Sequence, residues 1–174
     1  MRLLTERGVQ ATPMSAIAKA AGTGMGTIYN YFDTKEELIN AIYLYIKRSE
    51  MFLVARNLDE NTSLKARFFS FYTAFVSFFF KYPESFAFME QFQSSPIITE
   101  ATREVGHEDF LPVIALIQQG QADGIVKQMD LEALLHFLGG TMTTYVRWIK
   151  ASGKENEQAY LDQHLRLVWD AIKE

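Results

Sequence analysis

Apolar residues recur at spacings of three and four along almost the whole chain, while sustained alternation of apolar and polar positions is rare. That is the period of amphipathic helices, not of strands. Asp123-Gly124 lies between two helical patterns rather than between β-branched runs, so it does not read as a hairpin. A first helical fragment runs to Arg7 and stops at Gly8, a residue type that tolerates the left-handed position after a helix. Thr12-Pro13 is expected to start a second helix, with Thr12 as N-cap and Pro13 at the first helical position. This helix, Met14 to Ala21, is expected to bury Ile17, Ala18 and Ala21 and to end at Gly22. A third follows from about Gly24 to Tyr31 after a very short turn. Thr34-Lys35-Glu36-Glu37 has the order of a capping box and opens a fourth helix through Leu38, Ile39, Ile42 and Ile46.

From about Ser49 the pattern lengthens. Leu64, Phe68, Phe71, Tyr72, Phe75, Phe78 and Phe79 form one stripe, with Phe69, Val76 and Phe80 on its flank, so this helix is expected to be central. Tyr82-Pro83 ends it, and a short helix from Glu84 to Gln93 follows. Beyond Pro96 the chain reads as helical to about Gln121, with a break between Gly106 and Pro112. The last two helices are expected at Leu131 to Ala151 and Asn156 to Lys173. The fold class is therefore all-α.

Composition narrows the functional classes. The 174 residues are 48% hydrophobic and 14% aromatic, enough for a real core and too apolar for a disordered tail. There is no cysteine, which removes disulfides and sulfur-based zinc sites and suits a reducing, cytoplasmic setting. No apolar run approaches the roughly 18 residues of a membrane span. The net charge is −4, but residues 1–48 carry six basic against four acidic groups and the remainder eleven against seventeen. A mildly cationic end on an anionic body is compatible with a nucleic-acid contact at the N-terminus.

Two short helices joined by a tight glycine turn are a helix-turn-helix arrangement, spanning about residues 13–32. Ala18, Ala20, Ala21 and Gly22 are expected to let the two backbones approach closely. The stretch Ile17-Ala18-Lys19-Ala20-Ala21-Gly22-Thr23-Gly24-Met25-Gly26-Thr27-Ile28-Tyr29-Asn30-Tyr31-Phe32 resembles the DNA-binding segment of the tetracycline-repressor (TetR) family. The likeness continues into Asp33-Thr34-Lys35-Glu36-Glu37-Leu38 and back into Glu6-Arg7-Gly8. The all-helical remainder looks like the family's variable effector and dimerisation domain by length and helix order only.

The resemblance implies a homodimer that binds palindromic double-stranded operator DNA, represses, and lets go when a small molecule binds. It implies that Thr12 caps the second helix and touches a phosphate. Thr23, Gly24, Met25, Gly26 and Thr27 would open the helix that enters the major groove. Tyr29 and Tyr31 would meet phosphate or thymine methyls, and Lys35 would contact phosphate. The residue types suit these roles in part. Gly24 and Gly26 let backbone amides come close to phosphate or base edges. Met25 and the Thr27 methyl can pack on thymine methyls. Lys35 stands in the first turn of its helix, where a cation opposes the macrodipole, a hint that its charge serves something outside the helix. None of these is an Arg or Asn suited to bidentate base reading, so the operator sequence does not follow from them. In the family the first helix begins well before the position of Met1, so the numbering is expected to start inside a longer protein. Gly24 also stands where the family carries a Ser or similar cap.

The expected domains are residues 1–48 for DNA binding and residues 49–174 for effector binding and dimerisation. Phe68, Phe71, Tyr72, Phe75, Phe79, Phe86, Met89, Phe92, Met142, Tyr145 and Trp148 are candidates to line an apolar ligand pocket, against the simpler reading of a packed core. Gly139-Gly140 inside a long helix costs about 1 kcal/mol per glycine relative to Ala, and suggests close approach in a four-helix interface between two subunits. Packing within one chain is the competing explanation. His107, His136 and His164 lack metal-ligand spacing, so no metal or other cofactor is expected. Gly22-Thr23-Gly24-Met25-Gly26 follows a helix and not a strand, so it does not read as a dinucleotide loop. No nucleophile or paired-carboxylate pattern supports an enzyme. The alternative to a repressor is a shortened helical ligand- or partner-binding module that no longer binds DNA.

Overall fold

The computed structural model describes residues 1–57, 59, 61–153 and 157–174. They form ten helices: α1 (Arg2–Arg7), α2 (Met14–Ala20), α3 (Met25–Tyr29), α4 (Lys35–Asn57), α5 (Leu64–Lys81), α6 (Pro83–Phe92), α7 (Glu100–Glu108), α8 (Leu111–Ala122), α9 (Leu131–Ser152) and α10 (Glu157–Ile172). The fold is all-α. Among the described residues the only β pairing is one isolated bridge between Val126 and Lys173. The expected start of the last helix at Asn156 lies outside the described residues. The expected break between Gly106 and Pro112 falls at Asp109–Phe110.

Packing divides the chain into two compact units, one of Met1–Ser49 with Tyr82–Asp109 and the other of Glu50–Lys81 with Phe110–Glu174. In the first unit, Met14, Ala18 and Ile28 form a small core against which Ile17, Phe32 and Leu38 pack. This core holds α2, α3 and the start of α4 together. The capping signal before α4 is realised with a shift. Thr34 Oγ1 accepts from Glu37 N at 3.1 Å, while Glu37 Oε2 accepts from Asp33 N at 2.8 Å, one residue beyond its expected partner. Behind this, α1 packs on α6. Gly106 in α7 is a close approach, since a Cβ there would lie 3.0 Å from the Tyr43 ring.

In the second unit α5 is central, with Leu64, Phe68, Phe71, Tyr72, Val76, Phe78 and Phe79 buried. It packs on α8, α9 and α10. Aromatic edges fill the contacts, with Phe68 5.4 Å from Trp169 and Phe71 6.1 Å from Phe110. The last residues are pinned to the α8–α9 connection, where Lys127 N donates to Ile172 O and Glu174 N to Ile125 O.

Two local expectations are corrected. Thr12 is not the cap of α2; Pro13 holds that position, with no side-chain cap bond. The reason is that Thr12 is completely buried and its hydroxyl points to the helix before it. Of the small residues at the turn, only Ala18 is buried, while Ala20, Ala21 and Gly22 are exposed. Gly22 serves by its dihedral instead, because a Cβ there would meet nothing within 4 Å among the described residues but φ is +66°.

Candidate nucleic-acid interface

The turn between α2 and α3 is built by that glycine. Thr23 N donates to Ala18 O at 3.0 Å and Gly22 N to Lys19 O at 3.2 Å, the paired bonds of a Schellman motif with the left-handed residue at C′. The motif consumes the last carbonyls of α2 and aims the chain directly into α3. There Gly24 is extended, φ −78° and ψ 150°, and provides no side-chain cap. Ile28 points inward to Met14 and Ala18, which fixes the rotation of α3 about its axis.

With Ile28 inside, the other positions from Gly24 to Tyr31 face solvent. Met25 is 48% exposed, Tyr29 44% and Tyr31 77%. Gly24, Gly26 and Thr27 are exposed, and Thr23 is half-buried. These seven residues lie within the single segment 23–31, interrupted by buried Ile28 and by Asn30. Lys19, in the last turn of α2, and Asn30, just after α3, are exposed beside them and were not singled out by the sequence. Their signal was a polar side chain flanking each end of the turn-and-helix segment.

Thr12 and Lys35 are placed differently. The Thr12 hydroxyl donates to Gly8 O at 2.7 Å and is also 3.1 Å from Leu3 O. Lys35 Nζ donates to Val9 O at 2.6 Å and to Thr12 O at 3.1 Å. Both polar groups are thus engaged with the chain's own carbonyls.

The aromatic set is split between the units. Phe86, Met89 and Phe92 are buried in the first. In the second, Phe68, Phe71, Tyr72, Phe79, Met142 and Tyr145 are buried, Phe75 is half-buried, and Trp148 is 44% exposed. Their rings pack on one another, as in Phe75–Phe79 at 5.0 Å and Phe68–Tyr72 at 6.0 Å. An open groove of about 500 Å³ in the same unit is lined by other residues, among them Phe69, Ser70, Thr73, Ser77 and Asp162.

Within this apolar interior lies a polar relay. Thr141 Oγ1 donates to Leu138 O at 2.7 Å and accepts from the Tyr72 hydroxyl at 3.0 Å. His164 Nε2 is 2.7 Å from the same Tyr72 oxygen. The direction of this contact is set by the tautomer of the His164 ring. Burial pushes the Tyr72 pKa up and the His164 pKa down. The His164 ring also stacks on Tyr145 at 4.6 Å. His164 was separated from a metal role by its spacing, but its place between Leu161 and Leu165 on a buried stripe was the signal that its ring needs a partner.

Residues 1–42 match the model of bacterial regulatory proteins of the tetR family, and residues 63–173 that of the tetracyclin repressor-like C-terminal domain. The HTH-type transcriptional repressor KstR2 of Rhodococcus jostii is 27% identical over 183 residues, covering 98% of this chain and 85% of the relative. A tetR-family transcription regulator from Shewanella sp. PV-4 superposes with a TM-score of 0.91 at 23% identity, over 99% of this chain and 93% of the other. The ketosteroid transcriptional regulator KstR2 of Mycobacterium tuberculosis superposes with a TM-score of 0.73 at 20% identity, over 99% of this chain and 90% of the other. A helix-turn-helix segment with its outer face free, followed by a helical C-terminal region that matches over its length, places the chain in the TetR family of DNA-binding transcription regulators.

Proposed function

We propose that this regulator is a homodimeric repressor that occupies a palindromic operator and leaves it when a small apolar ligand binds. The observation that carries the reading is the exposed set Gly24, Met25, Gly26, Thr27, Tyr29 and Tyr31, with half-buried Thr23 before it, held in one orientation by buried Ile28. In a dimer two such runs would have to meet successive major grooves about 34–36 Å apart. Thymine methyls suit Met25 and Thr27, while Lys19, Tyr29, Asn30 and Tyr31 suit phosphate or base edges.

The last two helices support a second copy of this chain as the partner. Ala133, Phe137, Gly140, Thr144, Trp148 and Ala151 recur at spacings of three and four on the exposed side of α9. On α10, Leu167 is 69% exposed, and Tyr160, on the same side, meets Trp148 at 5.5 Å. A Cβ on Gly139 or Gly140 would meet nothing within 4 Å among the described residues, which favours a partner outside the chain over packing within it. An apolar stripe with small residues at its middle suits helices crossing from a symmetry-related subunit.

The effector reading rests on the aromatic interior around α5 and α9, where Tyr72, Thr141 and His164 offer one hydrogen-bonding edge. The ketosteroid named for the Mycobacterium tuberculosis neighbour is a ligand class of this kind: planar, apolar and with few polar atoms. Ligand binding represses DNA affinity if it favours a dimer whose recognition segments have the wrong separation.

The test is selection from a random duplex pool followed by sequencing. Enrichment of a palindrome, with affinity falling steeply as salt rises, is the expected result. A dimer that enriches no site but still binds planar apolar compounds would favour the ligand-binding module instead.

A further inference from the structure

We propose that Lys35 is a positioning residue that locks the helix-turn-helix to the start of α4, and that it is not a phosphate contact. The inference rests on the DNA-binding reading of the exposed α3 surface. Lys35 is the first residue of α4, where a cation faces the positive end of the helix dipole. Something must hold it there. Its ammonium donates to the carbonyls of Val9 and Thr12, 26 and 23 residues earlier in the chain, at 2.6 and 3.1 Å.

Those two carbonyls belong to the connection between α1 and α2, and they are not independent of each other. Thr12 N donates to Val9 O at 3.3 Å, so Val9 O receives both that amide and the ammonium. The Thr12 hydroxyl, on a residue 0% exposed, binds back to Gly8 O and lies near Leu3 O. Thr12 thereby joins the end of α1 through its side chain and the start of α4 through its carbonyl. Pro13, the N-cap of α2, follows immediately. The direction in which α2 leaves this knot sets α3, because the Schellman turn at Gly22 fixes the one to the other.

A phosphate contact would require the ammonium to swing outward and leave both carbonyls without their charged donor. A charge-assisted bond to a carbonyl is stronger than an ordinary one, and the half-buried side chain gives it little competition from water. The Thr12 side chain is closed to DNA for the same reason. Its hydroxyl has one proton, already spent inside the protein.

The salt dependence of DNA binding separates the two roles. Lys35→Met, Lys35→Arg and Thr12→Val would be measured on a duplex selected by the wild-type chain, over a series of salt concentrations. A positioning role predicts that all three weaken binding at fixed salt, Lys35→Met by about tenfold, with the wild-type slope of log affinity on log salt retained. A phosphate contact predicts a slope reduced by about 0.9 in Lys35→Met, with Lys35→Arg and Thr12→Val close to wild type. That pattern overturns the proposal. Amide exchange without DNA supplies a second readout. Lys35→Met should accelerate exchange across residues 9–16 and leave α9 unchanged, and unchanged exchange at residues 9–16 overturns the proposal as well. If the wild-type chain itself shows no salt-dependent DNA binding, the DNA-binding reading fails, and the exchange measurement still decides the role of Lys35.

Discussion

Asn40 and Thr99 are joined side chain to backbone: Asn40 Oδ1 accepts from Thr99 N at 3.0 Å, while its Nδ2 donates to Ile97 O and Glu36 O, both at 2.8 Å. A single buried amide thus satisfies three backbone groups and ties the α6–α7 connection to α4 within the first unit. Arg103 assists by donating from Nη2 to Ser95 O at 2.8 Å.

Asn40→Ala is expected to destabilise the chain by about 2–3 kcal/mol, because it leaves the Ile97 carbonyl and the Thr99 amide without partners. For a chain of this size that corresponds to a fall in Tm of roughly 4–12 °C. Differential scanning calorimetry checks it. A loss below about 0.5 kcal/mol would mean that water replaces the amide.

Gly22→Ala should cost about 1–2 kcal/mol, since an L side chain is strained at φ +66° even though space is open there. DNA affinity should fall in the same variant, because the turn sets the start of α3. Denaturant unfolding and a DNA titration together test both halves.

The Tyr72–His164 contact predicts an acid-side loss of stability. The His164 pKa is held below its ordinary value of 6.5, chiefly by burial, against a smaller opposing contribution from the Thr141 backbone. The folded chain therefore keeps the ring neutral where the unfolded chain has begun to protonate it. Its contribution is complete above pH 6.5 and is lost progressively as pH falls below that value toward the folded pKa. Unfolding free energies of wild type and His164→Gln, measured at several pH values on either side of 6.5, should converge on the acid side. Parallel curves would exclude this origin. Tyr72→Phe, which removes the hydroxyl from both partners, should cost about 1–2 kcal/mol at neutral pH.

Gly140→Glu is expected to abolish self-association without harming the fold of one chain. Nothing among the described residues lies within 4 Å of the added Cβ, and replacing a helical glycine favours the helix by up to about 1 kcal/mol. Sedimentation of wild type as a dimer and of the variant as a monomer is the expected outcome. A variant that stays dimeric would move the interface away from α9.

Much of the fold was legible because its signals are local. The Thr34–Glu37 cap, the left-handed glycines and the aromatic stripe of α5 each lie within a few residues of their partners. The turn-helix segment was legible for the same reason, since its glycine turn and the two short helices it joins lie together within about twenty residues. What the sequence hid were long-range polar partners. A threonine before proline reads as a cap, yet the Thr12 hydroxyl turns back to Gly8 O, and nothing in its neighbours selects that direction. The oddly placed charge of Lys35 was visible, but its acceptors are carbonyls, which every residue carries and no sequence distinguishes. Asn40 finds its partners 57 and 59 residues away. The aromatic interior was readable as apolar, but not how its rings divide between the two units.

The two tryptophans stand in contrasting surroundings, Trp148 at 44% exposure against Tyr160 and Trp169 at 6% beneath the Lys65 ammonium. The chain therefore carries two native optical probes of different events. Covering the outer side of α9 should shift Trp148 emission to the blue, whereas Trp169 emission should respond only when the interior opens. A Trp148→Phe variant separates the two signals and lets association and unfolding be followed in one cuvette without any added dye.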